Sequence, residues 1–362
     1  MKKILFDNQM FTLQRFGGVT RYFADLICNL PQGEFEAEVP MRYCENHYIT
    51  ETYGREYEKI TFPSNYRIRR QIYMLANKYI AYKAVKAGNY DIFHPTYFNP
   101  YFLNSVKKHG KPFVLTVHDM TFERYPQDVL IYDHTIPHKK RLIAEADHII
   151  AVSENTKRDI VELLGTDPSK ISVVHHGYRP VAEPAPQLFD RYVLFVGARK
   201  GYKNFLPWLS AIRPIFNLDP NLKIVCTGMP FSASEIKLFN KWNIADRLVH
   251  IAANDAQMAS LYRHALCFVF PSHYEGFGIP ILEAFANGCP VCLSNASSFP
   301  EVAGDAAAYF NPNDAQSMQD VLKELLVSSA LRKELSEKGL ERSNDFSIER
   351  MVEQTCDVYR KL

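Results

Sequence analysis

The stretch Phe270-Pro271-Ser272-His273-Tyr274-Glu275-Gly276-Phe277-Gly278-Ile279-Pro280-Ile281-Leu282-Glu283-Ala284-Phe285-Ala286-Asn287-Gly288 decides how the chain is read. Ahead of it, Cys267-Phe268-Val269-Phe270 is a short, continuously apolar run, the form taken by a strand buried on both faces. Gly276 and Gly278 then make a turn whose backbone a ligand can approach closely. Pro280 falls where proline is favoured, in the first turn of a helix that stops at Asn287-Gly288. Strand, glycine-rich loop and helix N-terminus in that order make an anion site, because free backbone N–H groups and the positive helix end suit a phosphate. Glu275 stands in the loop and Glu283 one turn into the helix, so the two carboxylates can face one ligand at different depths and accept hydrogen bonds from sugar hydroxyls. Two solvated acids beside an ordinary tight turn remain the alternative reading.

Outward from this segment the same alternation repeats. Tyr192-Val193-Leu194-Phe195-Val196, Leu222-Lys223-Ile224-Val225-Cys226, Leu248-Val249-His250-Ile251 and Pro290-Val291-Cys292-Leu293 are strand-like, with helical segments between them. An earlier series comprises Ile4-Leu5-Phe6, Ile92-Phe93-His94, Phe113 to Val117 and His148 to Val152, separated by amphipathic stretches such as Val19 to Leu30 and Asn155 to Leu164. Buried strands alternating with helices predict an α/β protein with parallel sheets wrapped by helices. The proline-rich Arg179-Pro180-Val181-Ala182-Glu183-Pro184-Ala185-Pro186 can neither continue a helix nor pair as a central strand, and separates the two series as a linker. The 362 residues are too many for one ordinary core. Two Rossmann-like, doubly wound domains are therefore predicted, residues 1–182 and 183–346, their strand ends facing across a cleft, with a helix over 347–362.

Composition narrows the function. Of the residues 47% are hydrophobic and 23% charged, and 42 basic against 40 acidic residues leave a net charge of +2, which implies no nucleic-acid partner. Seven scattered cysteines argue for free thiols and a reducing compartment. Cys289-Pro290-Val291-Cys292 has redox or half-zinc spacing, but with no second pair to complete a metal site it reads as two small core residues. No window approaches the length of a membrane span, so the expected location is cytoplasmic.

Glu275 and Glu283, spaced as Glu-x7-Glu within Pro-Ser-x-x-Glu-Gly-Phe-Gly-x-Pro-x-x-Glu-Ala, resemble the signature of the retaining glycosyltransferases of family 4, whose fold is GT-B. The resemblance covers nearly the whole chain. It extends through Phe16-Gly17-Gly18-Val19, Thr116-Val117-His118-Asp119, Val152-Ser153-Glu154-Asn155-Thr156, Val174-His175-His176-Gly177-Tyr178 and Val196-Gly197-Ala198-Arg199-Lys200-Gly201-Tyr202-Lys203-Asn204. It implies a nucleotide-sugar donor as substrate, no metal and no cofactor. Arg199 and Lys203 would neutralise the donor pyrophosphate, Glu275 would bind hydroxyls of the transferred sugar and Glu283 the ribose. Backbone N–H groups of Phe277, Gly278 and Ile279 would cradle the distal phosphate, with base contacts near Gly228-Met229 and Asn254-Asp255.

In the first domain the resemblance makes Gly17-Gly18, read as lying between the first strand and the first helix, a backbone approach to the donor phosphate. It makes His118 a contact to the transferred sugar from the catalytic side of the first domain. A plain turn and a structural histidine stay open as alternatives. The 347–362 helix would cross back to the first domain as in other members of the fold.

The absence of any Asp-x-Asp pair agrees with a metal-free donor site. The basic loop resembles that of bacterial polysaccharide mannosyltransferases, so mannose from GDP-mannose is expected, passed to a glycan or lipid-linked glycan in cell-surface polysaccharide or lipopolysaccharide synthesis. Residues 66–88 carry Arg67, Arg69, Arg70, Lys78, Lys83 and Lys86 without an acid, interleaved with apolar residues. They read either as a peripheral contact with the inner face of the plasma membrane or as a solvated basic face. Competing readings are a UDP-hexose donor, a GT-B sugar-nucleotide epimerase and a non-catalytic sugar-binding scaffold. A nicotinamide dehydrogenase is disfavoured, because no Gly-x-Gly-x-x-Gly follows the first strand of either domain.

Overall fold

A computed structural model describes residues 1–128, 134–180 and 183–362, with Tyr66 described by its backbone alone. Val181 and Ala182, at the end of the first predicted domain and inside the predicted linker, lie outside the described residues. The chain divides into two units. Unit 1 comprises Met1–Gly177 with Ile348–Leu362, and unit 2 comprises Tyr178–Ser347.

In unit 1 the strands are β1 (Lys2–Phe6), β2 (Phe35–Glu38), β3 (Ile92–His94), β4 (Val114–Val117), β5 (His148–Ala151) and β6 (Ile171–Val173). They pair in parallel as β2-β1-β3 and β4-β5-β6. A parallel bridge from Phe93 to Phe113 joins the two sets. Unit 2 holds β7 (Tyr192–Phe195), β8 (Lys223–Cys226), β9 (Leu248–His250), β10 (Cys267–Phe270), β11 (Val291–Ser294) and β12 (Ala307–Phe310), in the parallel order β12-β11-β10-β7-β8-β9. Each unit is thus an α/β layer of the doubly wound kind. The strand order reverses beside β1, between β2 and β3, in unit 1, and between β7 and β10 in unit 2. Such reversals open crevices at the carboxyl ends of the strands.

The strands legible in the sequence include the central ones and the edge strand β9, and β7, β10 and β11 are buried at every residue. Sequence reading missed β2, β6 and β12. All three are edge strands, and Phe35-Glu36-Ala37-Glu38 shows why: an edge faces water and needs no continuous apolar run. The position of Gly17-Gly18 is corrected. A short helix α1 (Gln9–Leu13) intervenes after β1, and Gly17 is the N-cap of α2 (Gly18–Cys28). Five helical residues are too few to show a period.

The C-terminal helix Ile348–Lys361 adds Met351, Val352, Cys356, Val358 and Tyr359 to the core of unit 1. Lys2 Nζ donates to the carbonyl of Tyr359 at 3.0 Å, and Arg360 pairs with Glu34 at 2.6 Å. All seven cysteines are free thiols, and Cys289 and Cys292 have no exposed surface. Burial pushes both thiols well above their ordinary pKa.

The basic segment forms α3 (Tyr66–Ala87), capped by Asn65, whose side chain accepts from Arg67 N, and ended by Gly88 at φ +74°. Tyr73, Asn77, Ala81 and Val85 bury a seam of one residue per turn. Ile68, Ile72, Met74, Leu75, Tyr79 and Tyr82 are exposed, Leu75 at 74%. A second set of apolar residues of this helix therefore faces outward, away from its buried seam.

Candidate active site

The loops after β7 and β10 flank the strand reversal of unit 2, where the topology places a ligand. His273 N donates to the carbonyl of Tyr202 at 2.8 Å, tying the two loops together. This brings Lys203 to Glu275: Nζ donates to Oε1 at 2.6 Å, and Ser272 Oγ donates to the same oxygen at 2.7 Å. Both charged side chains are mostly but not wholly shielded, 17% and 14% exposed, so the pair borders solvent on one side.

The backbone of the Glu275 loop is held from behind by a second loop. Ser298 Oγ donates to the carbonyls of Glu275 and Phe277 at 3.0 and 2.9 Å, and Glu275 N donates to Ser297 Oγ at 3.1 Å. Gly278 is the N-cap of the helix Ile279–Ala286 at φ +105°. A side chain there would be strained and would meet Ile281 and Phe299 at 3.0 and 3.2 Å. With glycine in that position, no side chain of the N-cap residue covers the first-turn amides. On the same helix Glu283 accepts from the buried hydroxyl of Tyr262 at 2.8 Å.

Arg199 stands in a different setting from Lys203. It is buried, and its guanidinium makes hydrogen bonds to Glu235 at 2.7 and 3.3 Å and to the carbonyls of Met229 and Pro230 at 2.8 and 3.0 Å. These bonds engage most of its five donors. The Glu235 carboxylate also closes a capping box with Ser232 at the helix Ala233–Lys241. Burial would raise its pKa, but the bonds from Arg199 and Ser232 hold it down at about 2. The two basic residues are thus paired separately, Lys203 with Glu275 and Arg199 with Glu235.

In unit 1, His118 follows β4. Its ring stacks on His176 with centroids 5.4 Å apart and meets the edge of Tyr22 at 5.1 Å. Both ring nitrogens are shielded and, among the described residues, make no hydrogen bond. Burial first, then His94 and Lys139, push its pKa down to about 3, so the ring is neutral at pH 7. Lys139 in turn pairs with Glu123 at 2.9 Å and donates to the carbonyl of Asp119 at 3.1 Å, fixing the loop that carries His118.

His94 bonds the hydroxyls of Tyr359 at 2.6 Å and Thr116 at 2.9 Å. Gly17 is extended, and a Cβ there would meet Gln14 Oε1 at 2.1 Å; Gly18 opens α2. Sequence reasoning missed Ser272, Tyr262, Glu235, His94 and His176. Of these, only Ser272 lay inside the segment first read; the others come from distant segments and carry no local signal.

The sequence and the fold match those of known proteins. The Glycosyltransferase Family 4 profile matches residues 16–180, and the profile described as Glycosyl transferases group 1 matches residues 182–342. The chain belongs to this glycosyltransferase family. It is 28% identical over 272 residues to O-antigen chain mannosyltransferase B of Escherichia coli, covering 69% of this chain and 70% of the relative. It is 27% identical over 300 residues to the MMP alpha-(1->4)-mannosyltransferase of Mycolicibacterium hassiacum, covering 77% and 72%. Among solved structures, Anabaena HepE in complex with UDP and glucose superposes with a TM-score of 0.76 at 15% identity, covering all of both chains. A sucrose-phosphate synthase from Thermosynechococcus elongatus superposes at 0.74 with 18% identity, covering 100% of this chain and 99% of that one. At such identities the likeness is one of fold, and that fold is GT-B. Among the described residues no helix is long and apolar enough to cross a membrane.

Proposed function

We propose that this glycosyltransferase is a retaining, metal-independent enzyme that moves mannose from GDP-mannose to a glycan or lipid-linked glycan in cell-surface polysaccharide synthesis. The Lys203–Glu275 pair beside an uncapped helix N-terminus carries the reading, since it sets a cation, a carboxylate and amide donors around one loop. Lys203 faces the donor diphosphate and Glu275 the hydroxyls of the sugar. The amides of Phe277, Gly278 and Ile279 stabilise charge as it moves onto the leaving phosphate, and Glu283, steadied by Tyr262, binds the ribose. Arg199 acts through the Met229–Pro230 backbone that it holds. From unit 1, Gly17-Gly18 supplies the backbone approach to the phosphate, and neutral His118 offers a hydrogen-bonding ring to the sugar. The departing phosphate oxygen takes the acceptor proton in front-face attack, so neither glutamate is a nucleophile, unlike the pair in retaining glycosidases.

The two mannosyltransferase relatives support mannose. A UDP-hexose donor is the second reading, favoured by a neighbour of the same fold solved with UDP and glucose. The outward apolar residues of α3 and its basic residues without an acid on the same helix support a cytoplasmic enzyme held at the inner face of the plasma membrane.

The test is calorimetry of GDP-mannose, UDP-glucose, UDP-galactose and the free nucleotides on wild type and Glu283→Ala, with EDTA present. Binding by one base series, weakened by the substitution and indifferent to the chelator, is expected. Equal binding by the variant would remove the donor-site assignment.

A further inference from the structure

We propose that a cavity of about 320 Å³ in unit 1 binds a phosphorylated saccharide, the anionic end of the acceptor; this rests on the glycosyl-transfer reading above. The cavity lies at the other strand reversal. Asn8 and Gln9 follow β1, and Tyr97 to Tyr101 follow β3, so it occupies the crevice that this topology opens in unit 1. Its volume falls in the range of small-molecule sites.

One wall is aromatic. Phe98 is buried and Tyr97 and Tyr101 are half-buried, giving flat faces suited to the C–H face of a sugar ring. The wall is held before any ligand arrives: Gln9 Nε2 donates to Asp7 at 2.6 Å and to the carbonyl of Asn99 at 3.2 Å, while Asn99 N returns a bond to Gln9 at 2.8 Å. The Tyr101 hydroxyl is shielded from water and outside hydrogen-bond geometry with any described group. Burial first, and then the nearby Asp7 carboxylate, push its pKa well up, so it remains a donor. Tyr101 lines the cavity beside the Asp7 carboxylate, so its hydroxyl has that acceptor as well as any ligand oxygen within reach.

The opposite wall sets the charge. Lys78 reaches in from α3, and His134 and His138, with rings 5.8 Å apart, stand at the start of the helix Thr135–Glu145. His134 makes no capping bond, and that helix has no acid in its first turn, so its positive end is open to an anion. Among the described residues no acid lines the cavity. Asn8, Gln9 and Asn99 can bond sugar hydroxyls, and an ammonium, two imidazoles and a helix N-terminus with no carboxylate in the lining suit the phosphate of an ester.

The ester could be soluble or lipid-linked. Leu75, Tyr79 and Tyr82 lie exposed on the helix that supplies Lys78, and an attached chain would have an apolar path along it.

The test is calorimetry on the whole chain with GDP and UDP saturating, which occupies the donor site of unit 2. The probes are mannose 1-phosphate, farnesyl diphosphate, methyl α-mannoside and inorganic pyrophosphate, and the proteins are wild type, Lys78→Ala, Tyr101→Phe and, as a donor-site control, Lys203→Ala. Lys78 is exposed and Tyr101→Phe removes one oxygen, so both variants should fold. At least one phosphate ester is expected to bind, about tenfold more weakly to Lys78→Ala and several-fold more weakly to Tyr101→Phe, and equally to Lys203→Ala. Tighter binding of farnesyl diphosphate supports a lipid-linked acceptor, and tighter binding of mannose 1-phosphate a soluble one. Binding of neither ester, equal binding of methyl α-mannoside or of pyrophosphate alone, or indifference to both unit 1 variants would overturn the proposal. Failure of the donor reading shows instead in the nucleotide panel with Glu283→Ala.

Discussion

The carboxyl ends of the two sheets handle polarity in opposite ways. In unit 2, charge meets charge before any ligand is present: Lys203 with Glu275, and Arg199 with Glu235. In unit 1, beside the buried Lys139–Glu123 pair, His94 and His176 are buried and His118 half-buried, and all three are held neutral as they stack on aromatic rings or bond hydroxyls. Paired charges suit a ligand that carries charge, because an incoming diphosphate can share a cation already in place. Neutral rings suit hydroxyls, which need hydrogen bonds without a counter-ion. The contrast between paired charges and neutral rings can be broken by substitution.

The largest effect is expected at Arg199. Arg199→Met leaves Glu235 buried without its partner and should cost about 3–5 kcal/mol in denaturant unfolding. Arg199→Met combined with Glu235→Leu should recover most of that loss. A cost below about 1 kcal/mol for the single variant would show the pair to be dispensable to the fold.

Next comes Lys203→Ala, expected to lower kcat/KM by about 10²–10³-fold, as for other groups that stabilise developing charge, while unfolding changes by less than about 1 kcal/mol. A variant that lost stability instead would make Lys203 a structural residue like Arg199, and the contrast within unit 2 would vanish.

The smallest effect sharpens the comparison between units through pH. An unfolded imidazole takes a proton near pH 6.5, whereas folded His94 and His118 do so only at about 3. The unfolded chain therefore binds more protons between those values, and stability falls as pH drops through that window, by up to about 1.4 kcal/mol per pH unit for each ring. For Glu235 the folded pKa is about 2, so its contribution is present above pH about 4.5 and lost as pH falls toward 2. His118→Gln should reduce the slope in the first window by one ring's share and leave the second. Unchanged acid sensitivity in that variant, followed by thermal unfolding, would mean that His118 is not held neutral by the fold.

Much of this was legible because the signals are local. Glu275, Gly278, Pro280 and Glu283 lie within one strand-loop-helix segment, whose roles follow from backbone preferences at fixed offsets. Lys203 was legible as a cation near a strand end, but its partner was not. Arg199 was legible as a cation after a strand, but nothing nearby in sequence announces Glu235, 36 residues on. His118 could be placed at the end of β4 from the apolar run before it, whereas its stacking on His176 arises only once β6 lies beside β5.

The sequence by itself determined the alternation of buried strands with helices, the central strands of both sheets and the glycine-rich loop with its two glutamates. These depend on side-chain period and on backbone freedom over a few residues, which are written in neighbouring positions. Only the tertiary structure decided which charge pairs with which, that Tyr359 of the last helix bonds His94, and that a second set of apolar residues of α3 faces outward. It also decided that the segments after β1 and β3 enclose a cavity together with α3 and the Thr135–Glu145 helix. Each depends on contacts between residues far apart in the chain, where the energy of pairing or burial belongs to the assembled surface rather than to either segment.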